Sequence, residues 1–184
     1  MPRRVAVLIS GRGSNMVSLV ERADGYTVAL VASDRPDAAG LGWATAQGIP
    51  TFTRDAKALG KAKWEAALNE ALDAAGVEAI ALAGYMRLLS DAFVARWRGR
   101  IVNIHPSLLP LYKGLDTHAR ALAAGDAEAG CSVHVVTEEL DGGAILGQTR
   151  MPIAAGDTVD TLAARVLVEE HRLYPRVLAD WLAR

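Results

Sequence analysis

The stretch Val5-Ala-Val-Leu-Ile-Ser-Gly-Arg-Gly-Ser-Asn15 decides the fold. Residues 5–9 form an apolar run of strand type, far too short for a membrane span or the apolar part of a signal peptide. Gly11 and Gly13 let the backbone turn tightly, and residues from about 15 to 22 have helical spacing. A buried strand that enters a helix through a glycine turn is the opening of a βαβ unit.

The same alternation continues outward from this turn. Residues 27–32 and 49–52 read as strands, 37–47 as a helix closed by Gly48, and 57–75 as a long alanine-rich helix stopped by Gly76. Residues 77–83 and 101–104 read as two more buried strands. This order predicts an α/β fold: a doubly wound, mostly parallel, Rossmann-like sheet covered on both faces. The last third differs. Residues 132–137 and 144–152 read as strands around Glu138-Glu-Leu-Asp-Gly-Gly143, a hairpin signal that predicts antiparallel pairing there. Asp157 or Thr158 caps a long final helix running toward Arg184. No linker, repeat or low-complexity segment interrupts the chain, so residues 1–184 are expected to form one domain.

Composition narrows the class of function. The chain has 184 residues, of which 51% are hydrophobic, enough for a sizeable core. A formal net charge of -1 argues against a nucleic-acid surface driven by bulk charge. The single cysteine, Cys131, excludes an intrachain disulfide and fits a reducing compartment. No histidine spacing or thiol cluster suggests a metal site. The expectation is a cytoplasmic protein, monomer or homodimer, that handles small molecules and neither nucleic acid nor membrane.

Two places stand out as candidate sites. Free N–H groups at the start of the first helix favour an anion, usually a phosphate, beside Gly13, Ser14 and Asn15. A dinucleotide fingerprint is the rival reading, with Asp34 near the position of a ribose-binding acid, but Met16 occupies the place of the third glycine. A plain turn and helix cap also explains the glycines. The second place is Arg100-Ile-Val-Asn-Ile-His-Pro-Ser-Leu-Leu-Pro110. Asn103 and His105 share one face of a strand end, where open α/β sheets bind ligands. Taken alone, His105 reads equally as a satisfied core histidine, and Asp141 as an ordinary Asp-Gly-Gly turn residue.

Longer motifs change that balance. Asn103-Ile-His-Pro-Ser-Leu-Leu-Pro110, then Tyr112-Lys-Gly114, then Glu139-Leu-Asp-Gly-Gly143, resemble the formyltransferase family that uses 10-formyltetrahydrofolate. The Ser-Gly-x-Gly-Ser-Asn loop and Ala83-Gly-Tyr-Met-Arg-Leu-Leu-Ser90 narrow the resemblance to the branch that formylates glycinamide ribonucleotide in purine synthesis. The resemblance implies that Asn103 and His105 stabilise a tetrahedral intermediate, with Asp141 favouring the charged form of His105 and assisting proton transfer. It implies that Gly13, Ser14 and Asn15 hold the ribonucleotide phosphate. Met86, Arg87, Leu88 and Leu89, with Asn103, would line the folate pocket, and Thr137, Glu138, Glu139, Leu140 and Asp141 would form its other wall. Lys61 aligns with a family arginine near the folate tail, keeping the charge without the bidentate geometry. The resemblance places residues from about 1 to 100 on the phosphate side and from about 101 to 184 on the catalytic and folate side. It also implies a cis peptide at Leu109–Pro110. His118 and His134 receive no role, and the sequence does not decide whether the loop 112–118 moves.

Glu170 breaks a pattern. Val159, Leu162, Val166, Leu173, Val177 and Trp181 make one apolar stripe along the last helix, and the stripe passes over position 170. A carboxylate pointing inward needs a partner, and the resemblance supplies one: the amine of the glycinamide substrate. Three other functions compete. A formyltetrahydrofolate hydrolase would be expected to carry a regulatory domain before the first strand. A methionyl-tRNA formyltransferase would need a C-terminal RNA-binding domain and a more basic surface. A non-enzymatic nucleotide-binding module would leave Asn103, His105 and Asp141 coincidental.

Overall fold

The computed structural model describes residues 1–184. Its strands are β1 (Arg3–Ile9), β2 (Tyr26–Ser33), β3 (Thr51–Thr53), β4 (Ala79–Leu82), β5 (Ile101–His105), β6 (Glu128–Val135) and β7 (Ile145–Pro152). All seven join one sheet in the order β3-β2-β1-β4-β5-β6-β7. The first five are parallel, and β6 and β7 add on antiparallel at one edge. Both expectations, the doubly wound sheet and the antiparallel end, hold.

The helices are α1 (Ser14–Glu21), α2 (Ala39–Ala46), α3 (Ala56–Leu59), α4 (Lys61–Ala74), α5 (Asp91–Arg96), α6 (Thr117–Ala124) and α7 (Val159–Leu182). Apolar residues of one sheet face pack on α1, α2 and α7 through Met16, Leu19, Leu162, Val166 and Leu173. The other face packs on α4 and α5 through Trp64, Leu68, Leu72, Phe93 and Trp97. Burying both faces explains why the parallel strands read as unbroken apolar runs.

Several boundaries differ from the sequence reading, each for a local reason. The helix expected over 57–75 is two helices, because Gly60 adopts φ 83° and ends α3 after one turn capped by Asp55. Two short helices, α5 and α6, occupy segments where none was read. Ser90 caps α5 by accepting the Phe93 N–H, while Asp116 enters α6 in the left-handed region at φ 57°. Helix α7 is capped by Thr158, whose side chain accepts the Thr161 N–H. Its stripe is buried at Leu162, Val166, Leu173 and Val177, but Val159 is 45% exposed because it opens the helix before the sheet is reached. No helix is long and apolar enough to cross a membrane.

Candidate active site

A cleft of about 950 Å³ opens at the carboxyl ends of β4 and β5, where parallel α/β sheets expose their strand ends. Asn103, His105, His134, Asp141, Lys61 and Glu170 all line it. Of the residues singled out from the sequence, Lys61, Asn103, His105, Asp141 and Glu170 meet here, whereas Gly13, Ser14 and Asn15 are not among the lining residues.

Strand β5 sends Asn103 and His105 toward the cleft from alternate positions, and β6 brings His134 directly opposite Asn103. His105 Nε2 lies 2.9 Å from the Tyr112 carbonyl, an atom that only accepts, so Nε2 carries a proton. Its other nitrogen, Nδ1, faces Asp141 Oδ2 at 3.5 Å. A neutral ring would aim a lone pair at that carboxylate, whereas a second proton turns the contact attractive. The geometry thus suits a charged donor at His105.

His134 completes the cluster. Its Nδ1 lies 3.0 Å from the Val135 carbonyl and so donates there, which leaves Nε2 to accept from Asn103 Nδ2 at 3.2 Å. The Asn103 amide is thereby held through one N–H, and its second has no acceptor in the protein. Asp141 sits 3.5 Å from His134 Nε2 and accepts the Gly114 N–H at 2.9 Å. Burial works to raise the Asp141 carboxyl, but His134 and His105 in their charged forms, with the Gly114 N–H, outweigh it, holding the group below the usual carboxylate value. Only three non-glycine residues adopt positive φ, namely Tyr112, Asp116 and Asp141, and all three belong to this cluster or to the loop against it. Such backbone conformations persist where the surroundings enforce them.

The phosphate candidate is built as its residues suggest. Gly13, at φ 77°, opens α1, and no side chain caps the first-turn N–H groups. A Cβ at Gly13 would lie 2.8 Å from Met16 Cε and 3.3 Å from Gly40 Cα. Gly40 on α2 supports the loop from behind by donating its N–H to the Gly11 carbonyl at 3.1 Å. Asn15 is buried, and its Nδ2 donates to Glu170 Oε2 at 2.6 Å while its Oδ1 has no partner. Asp34 is not poised for a ribose. It is buried and accepts from Ser10 Oγ at 2.6 Å, which removes the acid that the dinucleotide reading required.

Glu170 points inward as the broken stripe implies, whereas Glu169 faces outward and pairs with Arg172 at 2.7 Å. Burial pushes the Glu170 carboxyl above its ordinary value, and the Asn15 hydrogen bond offsets part of that rise. Lys61, Met86, Arg87, Leu88 and Leu89 line the opposite wall, with Met86 and Leu88 each 68% exposed. Their segment is pinned where Ser10 Oγ accepts the Met86 N–H at 2.9 Å, Trp64 Nε1 donates to Tyr85 Oη at 2.8 Å, and Glu65 accepts the Ser90 N–H at 2.8 Å. Thr137, Glu138, Glu139 and Leu140 line the cleft beside Asp141, with Glu138 paired to Arg98 and Glu139 to Lys113. The Leu109–Pro110 peptide is cis, as expected.

Two histidines left without a role lie in the cleft. His134 carried no local signal, since only the β5–β6 register reveals its neighbour. His118 lines the cleft near the start of α6, and burial first, then the charge of His105, lowers its pKa. The loop 112–118 is held by hydrogen bonds at several points.

Comparison with known proteins follows the same lines. Residues 3–178 match the family described as Formyl transferase. Over 184 residues the chain is 45% identical to phosphoribosylglycinamide formyltransferase of Escherichia coli (strain K12), covering 97% of this chain and 86% of that protein. The enzyme of the same name from Haemophilus influenzae is 40% identical over 182 residues, 96% of this chain and 85% of the other. The crystal structure of phosphoribosylglycinamide formyltransferase from Brucella melitensis superposes with a TM-score of 0.94 at 50% identity, covering 100% of this chain and 97% of that one.

Proposed function

The chain belongs to the formyl transferase family, and we propose that it transfers the formyl group of 10-formyltetrahydrofolate to the amine of glycinamide ribonucleotide, a step of purine biosynthesis. One observation carries the mechanism: the free amide N–H of Asn103 and the Nδ1 side of His105, tied to Asp141 only at 3.5 Å, adjoin in a cleft that also holds Glu170. The whole chain acts as a single catalytic domain on two small molecules.

The phosphate rests on the amides of Gly13, Ser14 and Asn15 at the start of α1, which the helix dipole makes attractive to an anion. The substrate amine sits against Glu170 and the unpartnered Asn15 Oδ1. Formyl folate lies between the wall of Lys61, Met86, Arg87, Leu88 and Leu89 and the wall formed by residues 137–141. The amine nitrogen attacks the formyl carbon and forms the new C–N bond, and the carbonyl oxygen becomes an oxyanion held by Asn103 and the imidazolium of His105. One amine proton leaves through water toward Asp141. The bond from carbon to folate N10 then breaks, its electron pair returns to N10, and N10 takes up a proton. The products are formylglycinamide ribonucleotide and tetrahydrofolate.

The test is formyl transfer from 10-formyltetrahydrofolate with and without glycinamide ribonucleotide. Consumption of the folate only when the acceptor is present supports the reading; equal consumption in water alone makes the protein a hydrolase and overturns it.

Glu170 offers a second check with two readouts. Glu170→Gln is expected to weaken glycinamide ribonucleotide binding roughly ten- to a hundredfold, the range for losing one charge-assisted hydrogen bond, while Glu169→Gln leaves calorimetric binding unchanged. Stability moves the other way. The folded-state carboxyl of Glu170 lies above its unfolded value, so its contribution is full at low pH and is lost as pH rises through the folded value. Ligand-free Glu170→Gln therefore melts at or above wild type near neutral pH, and the gap closes toward about pH 4. Equal binding by the two glutamine variants would remove Glu170 from the site.

A further inference from the structure

The loop ahead of α6 reaches the catalytic cluster through main-chain atoms alone. The Tyr112 carbonyl accepts from His105 Nε2 at 2.9 Å, and the Gly114 N–H donates to Asp141 Oδ2 at 2.9 Å. The two carbonyls interleaved with those groups, on Lys113 and Leu115, both accept from Arg120 Nη1, at 2.7 and 3.2 Å. The Arg120 guanidinium also lies 5.1 Å from the centre of the Tyr112 ring, whose hydroxyl donates to Asp126 at 2.6 Å. Tyr112, Gly114 and Asp116 all have positive φ, at 54°, 80° and 57°. A chain segment with three left-handed residues in alternation does not hold that shape by local preference, so external ties must set it. The Lys113–Glu139 ion pair is a second tie, but an ammonium on a flexible stem does not fix carbonyl directions as a guanidinium does.

We propose that Arg120 is a positioning residue for formyl transfer: by holding the Lys113 and Leu115 carbonyls, it fixes the Tyr112 carbonyl on His105 and the Gly114 amide on Asp141. Arg120 is exposed, is absent from the cleft lining and touches neither substrate site. The proposal rests on the reading of His105 and Asp141 as the catalytic pair. Its consequence is specific. Loss of Arg120 releases the backbone groups that orient both side chains while leaving the phosphate loop and Glu170 intact.

The experiment compares wild type, Arg120→Ala, Arg120→Lys and His105→Ala in steady-state kinetics, with hydrogen exchange at the Gly114 amide. Arg120→Ala is expected to lose about tenfold or more in kcat, since small misplacements of catalytic groups are costly, with an unchanged KM for glycinamide ribonucleotide and faster Gly114 exchange. Millimolar guanidinium ion restores part of the kcat of the alanine variant and leaves wild type unaffected, and Arg120→Lys falls between the two. A kcat for Arg120→Ala within twofold of wild type, or a loss of kcat with Gly114 exchange unchanged, overturns the proposal. The His105→Ala arm separates the layers: if it stays active, the underlying catalytic assignment has failed; if it is inactive while Arg120→Ala is normal, only the latch has failed.

Discussion

His105→Ala lowers kcat by about a hundredfold or more, and Asn103→Ala does the same, in proteins that remain folded. The size follows from the role: removing one preorganised donor from an oxyanion site is worth roughly a hundred- to a thousandfold. That the fold survives follows from position. Neither side chain belongs to the two apolar clusters that hold the sheet to its helices. Removing the imidazole frees the Tyr112 carbonyl and Asp141, and the space it leaves adjoins the cleft, so water can replace the lost partner. Glycinamide ribonucleotide binding should be nearly unchanged, because phosphate and amine contact α1 and Glu170 instead. The double variant should lose far less than the product of the single losses, since both donors serve one oxygen. Steady-state kinetics with circular-dichroism melting decides the matter; near-wild-type kcat in either folded variant would mean that the oxyanion is held elsewhere.

The features legible in the sequence are those encoded over short distances. Strand β1 and its glycine turn read correctly because a buried parallel strand is an unbroken apolar run, and the glycines mark where it stops. Glu170 was legible because one carboxylate in a helical apolar stripe conflicts with burial unless it has a use. Helices α5 and α6 were missed because six and eight residues give too few turns for a period to show. Gly60 falls inside the helix read over 57–75, and only its φ of 83° reveals the break. What stayed hidden in the site was nonlocal. His134 became a partner of Asn103 through strand register, and Gly40 became a support for the phosphate loop through the packing of α2. The Tyr112 carbonyl and Arg120 are harder still, because a main-chain contact leaves no residue-type signature in the sequence.

Asp141→Asn is the more diagnostic substitution, because it changes charge and almost nothing else. Asparagine fills the same volume, tolerates the φ of 48° at this position, and can still accept the Gly114 N–H. The negative charge facing both His105 and His134 disappears. The amide oxygen that keeps the Gly114 N–H is also the atom facing His105 Nδ1, but it carries no full charge, so the imidazolium loses its ionic partner and the charged donor is weakened. The water-borne proton from the amine also loses its acceptor. Both effects act on the chemical step, so kcat is expected to fall by a hundredfold or more, the usual scale for general acid–base groups, roughly a hundred- to ten-thousandfold, with KM values little changed. Nitrogen-15 shifts of the His105 ring near neutral pH would show the change of protonation directly. Thermal stability gives an independent reading. The Asp141 carboxyl lies below its unfolded value, so it adds stability above that value and loses it as pH falls through the folded one. Wild type should therefore melt above Asp141→Asn near neutral pH, with the two curves converging in acid, a gap opposite in sign to that of Glu170→Gln. An active Asp141→Asn enzyme with an unchanged His105 spectrum would show that the 3.5 Å approach of the two side chains has no part in the reaction.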